Sequence, residues 1–245
     1  MPVPGSFLQA LLLPLDARFQ SGQRDPPRGV ADFPAKEKFT MRGLSMSKKK
    51  SSVRVVNGGA GLPLSSGGGR VSRSRPVELP FGVACAVMAE GLLCSIEWES
   101  SPEALEEALA TKYPEAAMTR RGDGVPGDLL LAYGKGRVIR REEIAAIRFD
   151  WSRVSPFSRE VLKELAKVPY GKSITYGKLA ERCGRPGAGR AVGNVLSRNR
   201  WPLLLPCHRV LAAGQRIGGF AKGTAVKEAL IRFERNSVAG EKSAQ

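Results

Sequence analysis

The texture of this 245-residue chain changes near residue 77, and that change limits which part of it can build a core. Residues 1–76 are rich in Gly, Pro, Ser, Lys and Arg, with "MSKKKSS" and "LSSGGGRVSRSR" as low-complexity stretches. Such a segment carries too little apolar surface to offset the entropy of ordering it, so a disordered basic tail is expected. It reads either as a loose DNA attachment or sorting signal, or as a solvated leader or an upstream extension if translation starts at Met41 or Met46. The second reading is favoured. From Glu78 onward apolar residues fall into periodic patterns, and 42% apolar content over the whole chain is enough for a real core.

Charge divides the chain in the same way. Residues 1–76 hold 13 Lys/Arg against 4 Asp/Glu, residues 77–149 hold 8 against 12, and residues 150–236 hold 17 against 6. With a net charge of +16, a polyanion is the default partner, touching only the basic modules. The expected organisation is a tail (1–76), an α+β scaffold (77–152), a basic, mostly helical domain (153–236) and a flexible end (237–245). The four cysteines have no CxxC spacing and the chain has one histidine, so no usual zinc set can be assembled and no metal or organic cofactor is expected. Sparse free thiols suit a reducing compartment, cytoplasmic, or nuclear in a eukaryote. The run "FLQALLLPL" is too short to span a bilayer.

"PFGVACAVMAEGLLCSIEW" is two strand-like runs meeting at Glu90-Gly91, a hairpin signal. "SSPEALEEALATKYP" predicts a helix with Ser101 as N-cap, Pro102 in its first turn, and Leu105, Ala108 and Leu109 on one face. "REEIAAIRFDW" suits another strand. In the basic half, Phe157, Val161, Leu162 and Leu165 form a helical stripe. Two short helices follow: "TYGKLAERC", capped by Thr175, and "RAVGNVLSRN", joined by the turn "GRPGAG". That pair resembles a helix-turn-helix, with small residues at Ala188 and Gly189 and Arg190 at the approaching edge.

The only histidine, His208, follows Cys207 in "NRWPLLLPCHRVLAAG". Cys85, Cys94 and Cys183 read as buried structural thiols. At Cys207, flanking His208 and Arg209 favour a thiolate, and "LLLPC" reads as a buried strand that delivers it. Consecutive side chains on a strand point to opposite faces, so a direct Cys–His bond needs a backbone turn or a bridging water. A cysteine protease draws its histidine from far along the chain, and none exists there. A thiolate activated through water, with the imidazole oriented by a distant carboxylate, is the reading that survives.

With these residues in place, "GKSITYGKLAERCGRPGAGRAVGNVLSRNRWPLLLPCHRV" followed by "IGGFAKGTAVKEALIRFE" resembles the O6-alkylguanine-DNA alkyltransferases, or methylated-DNA–protein-cysteine methyltransferases. The likeness covers about residues 78–236 and is strongest over 155–234. The resemblance implies that Cys207 accepts the alkyl carbon from guanine O6 once and irreversibly, in DNA whose damaged base has been flipped out. His208 would then take the thiol proton through water and Glu234 would orient the imidazole. Asn199 would be the hinge asparagine, Tyr176 would protonate the leaving guanine at N3, and Arg190 would fill the vacated stack. It also places Thr175, Ala188, Gly189 and Ala191 against DNA, and Val210, Phe220, Ala221 and Lys227 around the base. Phe220 and Ala221 stand where tyrosine and serine are frequent in the family, so a hydroxyl contact there is lost and pocket width is open. The implied partner is double-stranded DNA containing O6-alkylguanine, met by a monomer.

Taken singly, Tyr176 and Glu234 read equally well as a core aromatic and a solvated helix-end acid, and Arg190 as a surface charge. Two further functions remain open: a lesion sensor that grips flipped guanine without reacting, and a helix-turn-helix regulator whose cysteine senses electrophiles.

Overall fold

The hairpin at Glu90-Gly91 forms the spine of a five-stranded sheet. Strands β1 (Val71–Arg73) and β2 (Val77–Leu79) lie end to end along one edge of β3 (Gly82–Ala89), both antiparallel to it. Strand β4 (Leu92–Glu99) pairs with its other edge. Glu90 and Gly91 have φ of 51° and 72°. Two successive positive φ values are the hairpin geometry whose twist matches that of the flanking strands. The computed structural model describes residues 70–118 and 124–243. The expected tail therefore lies outside the described residues as far as residue 69. Its end was placed too late, because β1 falls within it: Val71 is buried and Ser74 Oγ accepts the Ala86 N–H at 3.0 Å.

Helix α1 (Pro102–Lys112) starts as its sequence dictates, with Ser101 Oγ accepting the Ala104 N–H. It buries Leu105 and Leu109 against Val83, Cys85 and Val87 on one sheet face. Strand β5 (Ala117–Met118) then runs parallel to β1. The opposite face, through Ala84, Ala86, Ile96 and Trp98, belongs to a larger core. Helix α2 (Gly124–Gly134) packs Leu129, Leu130 and Tyr133 into it.

"REEIAAIRFDW" is not a strand. Arg141–Ala145 form helix α3, and only Phe149 bridges to Leu93. Acidic residues in the first turn favour the helix, and Glu143 accepts the Arg140 backbone N–H at 2.9 Å.

The basic half follows its pattern closely. Helix α4 (Pro156–Ala166) buries Val161, Leu162 and Leu165. A two-residue strand β6 (Ile174–Thr175) leads into α5 (Tyr176–Arg182), capped by Thr175, and a glycine-rich turn leads to α6 (Gly189–Leu196). Strand β7 (Val210–Leu211) pairs with β6 in parallel. The last helix, α7 (Thr224–Ser243), continues past residue 236, where a flexible end was expected; residues 244–245 lie outside the described residues. The core runs unbroken from Val77 and Leu130 through Leu162 and Leu196 to Leu230, across the boundary expected at 152. Among the described residues no helix is long and apolar enough to cross a membrane.

"LLLPC" is buried, as expected, but it is not a strand. Leu203 has φ 71°, the Leu204 and Leu205 amides bond back to the Pro202 and Trp201 carbonyls, and Cys207–Arg209 form a single 3-10 turn. Pro202 and Pro206 supply no amide for a strand ladder, so the segment closes on itself instead.

Candidate active site

That 3-10 turn decides what the only histidine does. Successive side chains on it diverge by about 120° rather than the half-turn of a strand. His208 and Arg209 both reach Glu234 on α7. His208 Nε2 lies 2.7 Å from Glu234 Oε1, while Arg209 Nε donates to Oε2 at 2.8 Å and Nη2 to Oε1 at 2.9 Å. The Gly171 amide adds a fourth contact at 3.0 Å, and the Tyr133 hydroxyl a fifth at 3.1 Å.

Glu234 and His208 are both 0% exposed. The reading of Glu234 as a solvated helix-end acid thus fails, and it sits mid-helix. Although burial opposes its charge, His208 and Arg209 hold its carboxyl well below the usual carboxylate range. His208 shifts down as well: burial lowers its pKa against the pull of Glu234. With Arg209 already neutralising the carboxylate, the neutral imidazole is the resting form. Its proton then belongs on Nε2, facing Glu234, which leaves Nδ1 as an acceptor. Nδ1 is buried and has no hydrogen-bond partner among the described residues.

Cys207 is 8% exposed. Contrary to the thiolate expected from its neighbours, burial pushes its pKa up, and the forces that lower it come chiefly from the Asn199 side chain and the Lys227 ammonium. The reason is geometric: His208 and Arg209 spend their polarity on Glu234. At rest the sulfur is a thiol in the apolar core, with the Asn199 side chain and the Lys227 ammonium as its polar neighbours. Asn199 also ties the end of α6 to this segment, donating from Nδ2 to the Leu205 carbonyl at 2.7 Å and accepting the Trp201 N–H at 3.0 Å.

Lys227, fully buried, lies 5.6 Å from the Tyr176 ring centroid, with Nζ 3.4 Å and 3.3 Å from the Gly218 and Gly219 carbonyls. Burial lowers its pKa and Cys207 raises it. The Tyr176 hydroxyl donates to the Gly219 carbonyl at only 3.4 Å. Burial, then Cys207, push that phenol up, so it keeps its proton. Phe220 leans on Trp98 of β4, centroids 6.3 Å apart, and Lys222 bonds Glu99, so the sheet anchors this loop. Val210 is fully buried and Ala221 exposed. Two surface cavities of about 440 and 480 Å³ lie elsewhere; the first is flanked by Lys172, Thr175, Lys178 and Arg182, and neither adjoins Cys207.

On the helix-turn-helix, Arg190 and Ala191 are exposed and Ala188 and Gly189 half-buried. Gly189 lies against Tyr176, and Gly193 faces its ring at 3.8 Å from where a Cβ would stand. The structure gathers Cys207, His208, Glu234, Asn199, Tyr176 and Lys227; Arg190 and Ala191 stand apart on the outer face. Sequence reasoning missed Arg209 as a carboxylate partner and Tyr133 altogether, which lies 101 residues from Glu234. No local pattern marks a hydroxyl on an otherwise apolar helix face.

A buried cysteine backed by a histidine–carboxylate pair, beside an exposed helix-turn-helix in a basic domain, defines a DNA-binding protein with a nucleophilic thiol. Residues 156–236 match the family model "6-O-methylguanine DNA methyltransferase, DNA binding domain". The chain is 35% identical over 162 residues to a methylated-DNA–protein-cysteine methyltransferase of Shigella flexneri, covering 64% of this chain and 92% of the relative. A Salmonella typhimurium protein of the same name is 33% identical over the same shares. The crystal structure of Mycobacterium tuberculosis OGT in complex with DNA aligns with a TM-score of 0.55 at 25% identity, over 68% of this chain and 94% of that one. The chain belongs to the methylated-DNA–protein-cysteine methyltransferase family.

Proposed function

We propose that this chain repairs O6-alkylguanine in double-stranded DNA by moving the alkyl group onto Cys207. As the sulfur–carbon bond forms, the carbon–O6 bond breaks. The thiol gives up its proton and the departing guanine gains one, so the exchange balances. The thioether has no easy leaving route, so each molecule reacts once.

The observation that carries this reading is the buried Glu234 holding His208 with an unpartnered acceptor nitrogen one residue from the thiol. A neutral imidazole there can take the proton that burial keeps on sulfur, through one water. Tyr176, protonated and close to Cys207, is suited to give a proton to guanine N3. The base must first leave the helix, at a cost of a few kcal/mol. Small residues at Ala188, Gly189 and Ala191 suit the minor groove, and exposed Arg190 can fill the gap. Thr175 caps the helix beside them. In this reading the purine packs against Val210, Phe220, Ala221 and Lys227, beside the 3.4 Å contact of Tyr176 with Gly219. The sheet-bearing half then supports the loops, and the basic half binds DNA and accepts the alkyl group. One monomer serves one lesion, in the cytoplasm of a prokaryote or the nucleus of a eukaryote.

The test is intact mass after incubation with a duplex containing O6-methylguanine. An increment of about 14 Da, a methyl replacing a hydrogen, on the Cys207 peptide is expected. Tight lesion binding without an adduct would convert the protein into a sensor, and indifference to the lesion would leave only an electrophile-sensing regulator.

A further inference from the structure

The N-terminal module reads as scaffold, yet one of its side chains reaches the reaction centre. Tyr133, on α2, is 1% exposed and donates its hydroxyl at 3.1 Å to Oε1 of Glu234, the same oxygen that faces His208 Nε2 at 2.7 Å. We infer that Tyr133 is a positioning residue that sets the basicity of the Glu234–His208 pair from the far side of the carboxylate.

The count of donors supports this. A carboxylate offers about four lone-pair directions. Five donors converge here: His208, Tyr133 and Arg209 Nη2 on Oε1, with Arg209 Nε and the Gly171 amide on Oε2. Oε1 is oversubscribed, so each donor weakens the hold of the others. Arg209 and Gly171 come from segments beside the thiol and the helix-turn-helix. Tyr133 is the donor that comes from the sheet-bearing half. Its placement is fixed by close packing: Gly134, the next residue, lies so near β2 that a Cβ there would sit 2.7 Å from the Glu78 carbonyl oxygen. Its ring is clamped between Tyr170 and Phe233, each at a centroid distance of 5.7 Å. The hydroxyl is therefore aimed by the sheet.

The consequence is directional. A donor on the carboxylate disperses its charge and reduces its pull on a second proton at His208. The neutral imidazole, needed to accept the thiol proton, is favoured. The other groups acting on the pair are Arg209 on the 3-10 turn, Lys227 on α7 and Tyr170 ahead of β6. Arg209 and Lys227 push His208 in the same direction as Tyr133 does, and Glu234 opposes them.

The test is Tyr133→Phe in the full chain, which keeps the ring and removes the oxygen. Because the chain has one histidine, its imidazole resonances titrate without overlap. The His208 midpoint is expected to rise by roughly half a pH unit. The acid limb of the alkyl-transfer rate should move up by the same interval, with the wild-type rate regained at higher pH. Tyr170→Phe removes a hydroxyl from the same aromatic cluster and should move neither midpoint. An unmoved His208 midpoint in folded Tyr133→Phe protein overturns the inference. The kinetic arm rests on the alkyl-transfer reading, whereas the titration needs no DNA. If the midpoint rises while transfer keeps its pH profile, Tyr133 still sets the pair, and the histidine relay through which it was to act on transfer fails.

Discussion

The two sides of Cys207 are built differently. Behind it, Glu234 and His208 are fully buried and the carboxylate is held by five donors, one from a helix more than a hundred residues away in sequence. In front, Tyr176 makes one long hydrogen bond, and Arg190 and Ala191 stand in solvent. On the proposed mechanism, the proton-accepting side is thus organised before DNA arrives. The side that must meet a base and a groove is left loose, because contacts made in advance would have to be broken. Burial costs a charged group heavily unless it is paired, and this explains why the carboxylate network is dense where nothing has to move.

Substitutions can test that contrast. The largest effect belongs to Cys207→Ser, expected to abolish the alkyl adduct in mass spectra while leaving lesion binding intact; a persisting adduct would move the acceptor elsewhere. Glu234→Gln should act on both stability and chemistry. It leaves Arg209 buried without its counter-charge, a loss of about 3–5 kcal/mol measured by denaturant unfolding. A near-neutral result would show the rear network to be looser than its geometry. Tyr176→Phe removes a weak bond and should change stability by less than about 0.5 kcal/mol. Yet it should slow transfer by a factor on the order of a hundred if the phenol acts as a general acid. An unchanged rate would remove it from the mechanism. Arg190→Ala is expected to slow repair in duplex DNA several-fold more than reaction with free O6-benzylguanine; equal slowing counts against a role in holding the gap.

The smallest effect is on stability against pH. His208 has a folded pKa below its ordinary 6.5, and Glu234 one below 4.5. Both groups bind fewer protons folded than unfolded. Their contribution is complete above about pH 6.5 and declines as pH falls, first through His208 and then, below about 4.5, through Glu234. Thermal melts between pH 8 and 5 should show a shallow fall that His208→Gln reduces. A melting temperature that rises on acidification would mean a protonated resting imidazole.

Much of this architecture is written locally. Glu90-Gly91 names the hairpin, Ser101-Pro102 the start of α1, and Thr175 the cap of α5, because each acts within a few residues. The candidate site was legible to the extent that its spacing resembles a family. What escaped was set by distance or by competition. In residues 141–151 the run Ile147-Arg148-Phe149 is strand-like, but the acidic first turn of Arg141–Ala145, with Glu143 capping it, starts a helix. Residues 203–206 are apolar enough for a strand, but two prolines and a left-handed Leu203 turn them instead.

By itself, the sequence determined the hairpin, the helix-turn-helix, the solitary Cys-His pair and the charge that draws the basic half to DNA, since these depend on neighbours along the chain. Only the tertiary structure decided that Cys207 rests as a thiol, that His208 and Arg209 both reach Glu234, and that Tyr133 completes their carboxylate. Proton affinities are fixed by burial and by the few ångströms between charges, and both quantities exist only once α2, α7 and the 3-10 turn have packed together.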